Sequence, residues 1–148
     1  MPEFTSSIYI HAPIERVWAF HEAPDALAKL TPPGQGIEVV SQSGGIEAGA
    51  KKVIRMPVLG LFKTEWHAVH TVYKPVSLFI DEQEQGPFAY WHHEHRFTRS
   101  NEGTQLTDWI TFRLPGGPIV NFFGAPVVKL QLRSLFKYRH AITKKSCE

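Results

Sequence analysis

The sequence predicts an α+β fold in which an antiparallel sheet of about seven strands packs against one long C-terminal helix. Strand-like segments follow one another with short turns over residues 36–114, and the pattern changes to helical periodicity after Pro118. An antiparallel sheet with one apolar face needs a cover, and this helix is the only predicted element long enough to provide one. A curved sheet around one helix leaves a cavity between the two.

The N-terminal segment predicts one strand followed by two short helices. Residues 3–11 have a strand pattern, and Pro13 suits the first turn of a helix. The next apolar positions recur at helical spacing, so Trp18 is expected in the core; they are Ile14, Val17, Trp18 and His21. A second short helix is expected over 24–30, because the proline pair that follows it cannot continue a helix.

Six further strands are predicted as an antiparallel meander, since only short Gly-, Pro- or Ser-containing turns separate them. They are expected at residues 36–42, 50–57, 63–73, 76–83, 90–99 and 105–114. The apolar stretch at 59–62 is expected to form a turn at the rim of the sheet. The pairing partner of the N-terminal strand stays open.

The C-terminal helix is predicted to be amphipathic. Its apolar stripe consists of Val128, Leu132, Leu135, Phe136 and Ile142, and a basic face consists of Lys129, Arg133 and Lys137. Pro126 is expected to limit the uninterrupted helix to the residues after it, with a separate turn at 119–123. Arg139 lies beside the stripe, and we expect it to extend to solvent rather than into the cavity.

Length and composition indicate one domain, residues 1–148, without structural disulfides. The chain has a formal charge of +2 and one cysteine, Cys147, which is expected at a frayed terminus. The modest basic excess carries no nucleic-acid-binding motif, so we expect no nucleic-acid partner. No apolar run approaches the ~20 residues of a membrane span and no signal peptide is evident, so we expect a cytoplasmic protein without membrane insertion.

The stretch from Asp81 to Phe97, DEQEQGPFAYWHHEHRF, is the richest in chemistry. Its Gly86-Pro87 turn predicts a β-hairpin. Strand alternation separates an aromatic and imidazole face from a charged face. The first face, the expected pocket wall, carries Trp91, His93, His95 and Phe97, and the second carries Tyr90, His92, Glu94 and Arg96.

Simple turn closure predicts which residues of this wall are neighbours. Closing the turn at 100–103 pairs Phe97 with Leu106, His95 with Asp108, His93 with Ile110 and Trp91 with Phe112. Closing the turn at 74–75 sets His70 near Phe79 and puts Asp81 and Gln83 on the same face. A bulge would reverse the face assigned to strand 76–83, so that assignment stays open.

The chain resembles a known superfamily through several motifs along almost its whole length. These are APIERVWAF, LTPP, DEQEQGPFAYWHHEHRF, TQLTDWITFRLP and LFKYRH. They resemble the START/polyketide-cyclase-like (SRPBCC) superfamily of helix-grip proteins, and most closely its small bacterial ligand-binding or cyclase/dehydrase-like members. The resemblance implies a deep cavity for a lipid- or polyketide-like molecule. It implies no particular activity, and no family catalytic residue can be carried over by position.

Three interpretations of the wall histidines stay open. In the first, the histidines are buried polar groups that stabilise the sheet. In the second, a carboxylate orients one imidazole so that its other nitrogen faces the cavity. The third is a metal site built from His70, His93 and His95 with Asp81 or Asp108. Because spacing alone is weak support for a metal, we expect neither metal nor other cofactor.

Three functions follow from these observations. The first is binding of a hydrophobic or aromatic small molecule, and the second is a cyclase/dehydrase-type or hydrolytic enzyme in which His95, oriented by Asp108, is the acid/base. The third is a protein-interaction module that uses the basic helix. The oligomeric state stays open. The residues expected to bind the ligand are Trp66, His70, Phe79, Asp81, Gln83, Trp91, His93, His95, Phe97, Leu106, Ile110, Phe112, Leu132, Leu135, Phe136 and Arg139.

Overall fold

The fold, a curved seven-stranded antiparallel sheet with a long C-terminal helix, is the predicted one. It is described by a computed structural model that covers residues 1–58 and 62–148. The elements are β1 (Glu3–Ile10), α1 (Ile14–Glu22), α2 (Ala26–Lys29), β2 (Glu38–Ser43), β3 (Lys51–Val58), β4 (Phe62–Lys74), β5 (Leu78–Gln85), β6 (Tyr90–Ser100), β7 (Gly103–Arg113) and α3 (Gly117–Cys147). The rim turn was expected at 59–62. Its residues 59–61 lie outside the described residues, and Phe62 begins β4.

The sheet order is β1-β7-β6-β5-β4-β3-β2, so β1 forms one edge by pairing with β7. The predicted register of β6 on β7 is confirmed, with His95 opposite Asp108 and His93 opposite Ile110. Pairing of β1 with β7 puts Ser6 opposite Asp108 as well. The polar centre of the sheet therefore extends from β5 to the edge strand.

Irregular pairing between β4 and β5 settles the face of β5. The register shifts between His70 and Val72, so that His70 lies opposite Asp81 while Tyr73 lies opposite Phe79. Phe79 stacks on the His95 ring with centroids 3.9 Å apart, which places it on the helix-facing side of the sheet. The extra residue lies in β4, so the alternation along β5 is unbroken and Asp81 lies on the same side as Phe79.

Helix α3 is continuous from Gly117 to Cys147, so the predicted separate turn at 119–123 is wrong. Pro126 lies within the helix and removes one backbone hydrogen bond, the one that the carbonyl of Phe122 would accept. Phe122 and Pro126 are both exposed, so water can solvate this carbonyl. The missing bond is therefore tolerated without ending the helix.

The core consists of two apolar clusters on either side of the polar centre. The first surrounds Trp18, whose ring makes edge contacts with Phe79 and Phe97. The second is built where β6 and β7 meet α3, and it includes Trp91, Ile110, Phe112, Leu132 and Phe136. The expected core position of Trp18 is thus confirmed.

Cys147 is a further correction, because it is 2% exposed and belongs to the first cluster rather than to a frayed end. The Arg16 guanidinium donates a hydrogen bond to the carbonyl of Cys147 over 3.1 Å. This contact and the apolar packing hold the last turn of α3 against α1. Burial raises the pKa of the thiol. No helix among the described residues has the length and apolarity to cross a membrane.

Candidate functional site

Two histidines of β6 and two aspartates of the flanking strands form a buried polar square on the helix-facing side of the sheet. Nε2 of His93 donates to Oδ1 of Asp108 over 2.7 Å, and Nε2 of His95 donates to Oδ2 of Asp81 over 2.7 Å. Both bonds run diagonally between adjacent strands. The directly opposed pair, His95 Nδ1 and Asp108 Oδ1, is longer, at 3.2 Å.

Helix α3 completes this cluster with His140. Its Nε2 donates to Oδ2 of Asp108 over 2.7 Å, while Nδ1 lies 3.5 Å from the hydroxyl oxygen of Ser6. Asp108, 4% exposed, therefore contacts three imidazoles through its two oxygens. This carboxylate ties the helix to the sheet at the centre of the fold.

The geometry sets the charge of His95. A carboxylate only accepts hydrogen bonds, so the bond to Asp81 places a proton on Nε2, and the contact of Nδ1 with Asp108 favours a second proton there. Burial on its own would lower the pKa of His95, but the bonds to Asp108 and Asp81 outweigh it and raise the pKa above its usual value. His95 is therefore expected to be an imidazolium near neutral pH.

Both aspartates remain ionised despite their burial. Burial would raise the pKa of Asp81, yet the neighbouring His93 and His95 hold it well below its usual range. Burial would likewise raise the pKa of Asp108, and hydrogen bonds from His140, His93 and His95 bring it well below the usual value. Paired charges of this kind survive in a core because each offsets the desolvation of the other.

Two other buried histidines lack such carboxylate bonds. His21 on α1 hydrogen-bonds through Nδ1 to the carbonyl of Val17 over 2.8 Å, and burial lowers its pKa to about 4. His70 on β4 accepts from the Lys52 ammonium through Nε2 over 3.2 Å, and burial lowers its pKa to about 4 as well. Both rings are therefore neutral at pH 7.

A cavity of about 20 Å³ lies beside the polar cluster, where α1, α2, the sheet and α3 meet. Its wall combines apolar side chains with imidazoles, one carboxylate and one guanidinium. The lining residues are His21, Leu30, His95, Leu106, Asp108, Phe136, Arg139, His140 and Thr143. A volume of this size holds about one water molecule.

Arg139 faces this cavity, so the expectation that it extends to solvent is wrong. Its Nε donates to the carbonyl of Leu30 over 3.2 Å, and its guanidinium carbon lies 5.4 Å from the ring centroid of Phe136. Burial lowers the pKa of the guanidinium, which Asp108 and Asp81 partly oppose. The favourable field of these two carboxylates is the physical reason that the side chain turns inward.

The predicted ligand-binding residues divide into three groups. His95, Leu106, Phe136 and Arg139 line the cavity. His70, His93 and Asp81 belong to the polar network, and the rest are packed around it. These packed residues are Trp66, Phe79, Trp91, Phe97, Ile110, Phe112, Leu132 and Leu135.

Gln83 contributes to the β5–β6 turn rather than to the cavity. Its side-chain amide donates to the carbonyl of Phe88 over 2.8 Å and accepts from the Phe88 backbone N–H over 3.1 Å. This turn places the Phe88 ring between Trp66 and Trp91, at centroid distances of 5.3 Å and 4.9 Å. Gln83 therefore shapes one end of the second apolar cluster.

The geometry bears on the two chemical interpretations of the histidines. Nε2 of His95 donates to Asp81 and Nδ1 lies 3.2 Å from Asp108, so a ligand reaches Nδ1 only by replacing Asp108. Asp81, His93 and His95 bring one donor atom each within 4.8 Å. However, a metal lies in the plane of each imidazole that binds it, and these two rings are stacked 3.7 Å apart at 27°. The stack thus opposes a shared metal.

Sequence reasoning missed two histidines of the site, His140 and His21. His140 follows Phe136 by four residues, so it lies on the buried face of α3, and this spacing was a usable signal. His21 was placed on the buried face of α1, but nothing in the sequence indicated that it lines the same cavity as His95. Such convergence depends on the packing of α1 over the sheet.

Comparison with known proteins identifies a family. The family model for polyketide cyclase/dehydrase and lipid transport proteins matches residues 1–148. No curated protein matches the chain.

Solved structures with the same fold include a nucleoside-diphosphate sugar epimerase from Corynebacterium glutamicum, at 28% identity and a TM-score of 0.75. That match covers 96% of this chain, which spans only 28% of the length of the epimerase chain. A Thermus thermophilus protein matches at 21% identity and a TM-score of 0.73, over 99% of this chain and 100% of its own. The di-domain ARO/CYC protein StfQ of steffimycin biosynthesis matches at 12% identity and a TM-score of 0.77, over 98% of this chain and 50% of its own.

Proposed function

Because the chain belongs to the polyketide cyclase/dehydrase and lipid transport family, we propose that it binds a hydrophobic or aromatic small molecule between the sheet and α3. The ligand has an apolar, lipid- or polyketide-like body and at least one oxygen acceptor. Arg139 contacts that oxygen, while Leu106 and Phe136 contact the body. Ligand pockets have this composition, mostly apolar with a few placed polar groups.

The cavity wall is the observation that carries the proposal. It places two cationic donors, the Arg139 guanidinium and the His95 imidazolium, beside apolar side chains in an otherwise packed interior. Buried charges are stable in a core when they are paired, and Asp81 and Asp108 pair with His95 here. Arg139 makes its hydrogen bond to a neutral carbonyl, so it retains donors for a ligand.

A ligand larger than one water molecule requires the cavity to expand. The wall on one side is Leu30, which follows the four-residue helix α2 and precedes a segment containing two prolines. The hydrogen bond from Arg139 to the Leu30 carbonyl closes this side. Movement of α2 away from α3 would exchange that carbonyl for a ligand oxygen on the same guanidinium.

The test is native mass spectrometry of the purified protein, with thermal shifts against fatty acids, phospholipids, flavonoid-like aromatics and polyketides. We expect at least one class to raise the Tm, since a ligand at 100 times its Kd adds about 2.7 kcal/mol of stability. Arg139→Ala should abolish the shift. The matched control Lys145→Ala, which removes an exposed cation from the same helix, should keep it. Absence of any bound or stabilising compound contradicts the proposal.

The second candidate function is a cyclase/dehydrase-type enzyme. The supporting observation is that His21 and His95 line one cavity with pKa values shifted in opposite directions, which is a pattern typical of acid and base pairs. His95, held as an imidazolium, donates its Nδ1 proton to a substrate oxygen that takes the place of Asp108, whose contact with Nδ1 is the longer of the two. Neutral His21, whose Nδ1 is fixed by the Val17 carbonyl, offers Nε2 as the acceptor.

Turnover of a cyclisable aromatic polyketide tests this candidate. We expect His95→Ala and His21→Gln each to abolish turnover, with the fold verified by far-UV circular dichroism. His92→Ala is the matched control, because His92 lies on the opposite face of β6 and pairs with Glu82 and Glu94. Full activity in His21→Gln contradicts the role of His21 as the proton acceptor, and absence of turnover by the unsubstituted protein contradicts this candidate function.

A further inference from the structure

The N-terminal half of α3 exposes large apolar side chains that no other part of the described chain covers. Ile119, Phe122 and Phe123 are 74%, 75% and 70% exposed, and Leu130 is 62% exposed. We call these four residues the apolar tip. Single exposed apolar residues are ordinary on protein surfaces, but a contiguous group indicates a contact site.

Basic residues continue the same side of the helix. Arg133 and Lys137 follow Leu130 at intervals of three and four residues, which keeps them on the side of the apolar tip, and both are exposed. At about 1.5 Å per residue, Arg133 lies roughly 5 Å further along the axis than Leu130. The 31 residues of α3 contain no aspartate or glutamate. The outer side therefore changes from apolar to cationic along its length.

We propose that the apolar tip inserts into the interface of an anionic phospholipid membrane while Arg133 and Lys137 contact its phosphates. Interfacial segments bury their apolar residues about 5–10 Å deep, next to the headgroups, and lysine and arginine complete the contact. Because Arg133 and Lys137 share the side of the apolar tip, a helix that lies in the plane of the interface presents both to it. The contact is peripheral, in agreement with the absence of a spanning helix among the described residues, and it goes beyond the proposed ligand binding.

The positive charge of α3 favours an anionic membrane, rather than a second copy of the chain, as the partner of the apolar tip. Two apolar tips packed together would bring two acid-free helices side by side, and like charges across an interface are costly. An anionic membrane instead matches the cations and accepts the apolar side chains in the same contact. Each cation near such a surface is worth about 1 kcal/mol, or roughly fivefold in binding.

Vesicle flotation tests the proposal with the full chain. We compare vesicles of phosphatidylcholine alone with vesicles of phosphatidylcholine and phosphatidylglycerol in equal parts. We expect binding to the mixed vesicles that weakens as salt is added. Phe122→Ser with Phe123→Ser should weaken it about tenfold or more, and Arg133→Gln with Lys137→Gln about 25-fold.

Matched controls separate the tip from general surface effects. Val40→Ser removes an apolar residue that is 42% exposed on β2, and Lys29→Gln with Lys51→Gln removes two exposed cations elsewhere. Both controls should bind as the unsubstituted protein does. In a Phe122→Trp variant, lipids brominated on their acyl chains should quench the fluorescence of the introduced tryptophan.

Three outcomes overturn the proposal. The first is absence of binding to the mixed vesicles, and the second is binding that the tip variants do not weaken. The third is a dimer, seen by light scattering, that the Phe122→Ser and Phe123→Ser changes dissociate, because it assigns the tip to a second copy.

Discussion

His95 and His21 line the same cavity and are both largely buried, yet His95 is expected to be cationic and His21 neutral at pH 7. His95 contacts two carboxylates, and its pKa is raised. His21 contacts a backbone carbonyl, and burial brings its pKa to about 4. Burial alone therefore does not fix the charge of a histidine in this core. The charged groups that each ring contacts decide it as well.

His93 and His70 extend the comparison. His93 has a short bond to Asp108 and lies 3.7 Å from Asp81, and burial together with the neighbouring His95 still lowers its pKa. His70 has the Lys52 ammonium as partner and behaves like His21. The carboxylate contacts of His95 offset the desolvation of its imidazolium, whereas at His93 the neighbouring His95 adds to the desolvation. The predictions below remove a carboxylate or an imidazole from these contacts, or change the pH.

Asp108→Asn should cause the largest loss of stability. The amide removes the anionic partner of His93, His95 and His140 at once, and removal of one partner of a buried pair costs about 3–5 kcal/mol. The measurement is the free energy of unfolding from urea denaturation at pH 7. Asp25→Asn is the control, because the exposed Asp25–Lys29 pair is worth about 0–1 kcal/mol. Equal losses in the two variants contradict the proposed central role of Asp108.

Most of the fold was predictable because its signals are local. Strand alternation, turn residues and the change to helical spacing gave the seven strands, the three helices and the register that sets His95 opposite Asp108. The error at Pro126 came from applying an interior-helix rule where the freed carbonyl is exposed to water. The misplaced Cys147 came from assuming that a chain end frays.

The site was predictable only in part because its bonds depend on side-chain direction and on packing. Register identifies direct neighbours, whereas the short bonds of His93 and His95 run diagonally to Asp108 and Asp81. The inward turn of Arg139 depends on two carboxylates from other elements. The cavity depends on how α1 and α2 lie over the sheet, which no local pattern encodes.

Stability should fall as the pH is lowered from about 6.5 to 4. His21 and His70 have folded pKa values of about 4 and an ordinary value of 6.5, so the unfolded chain binds more protons in this range. The loss at pH 4 is about 3 kcal/mol for each ring. His95 does not add to this loss, because a group whose pKa is raised on folding contributes stability that is fully present below pH 6.5. Urea denaturation at several pH values measures the slope.

His21→Gln isolates one ring of this pH dependence. The variant should lose the share of one ring, about 3 kcal/mol, from the stability change at pH 4, whatever its stability at pH 7. His11→Gln is the control, because His11 is exposed and its change should leave the slope as it is. An unchanged slope in His21→Gln contradicts a neutral His21 in the folded state.

Asp81→Asn should have the smallest effect on stability and the clearest effect on charge. Asp81 has 17% side-chain exposure and accepts one short bond, from His95, so its loss should cost about 1.5–3 kcal/mol. His95 would keep only Asp108, and its pKa should fall, so that a larger fraction of the ring is neutral at pH 7. A titration of the histidine ring signals by NMR measures this change, with His21 as an internal reference near pH 4. If the pKa of His95 does not fall in the variant, Asp108 alone suffices to hold the charge, and the contact with Asp81 does not contribute to it.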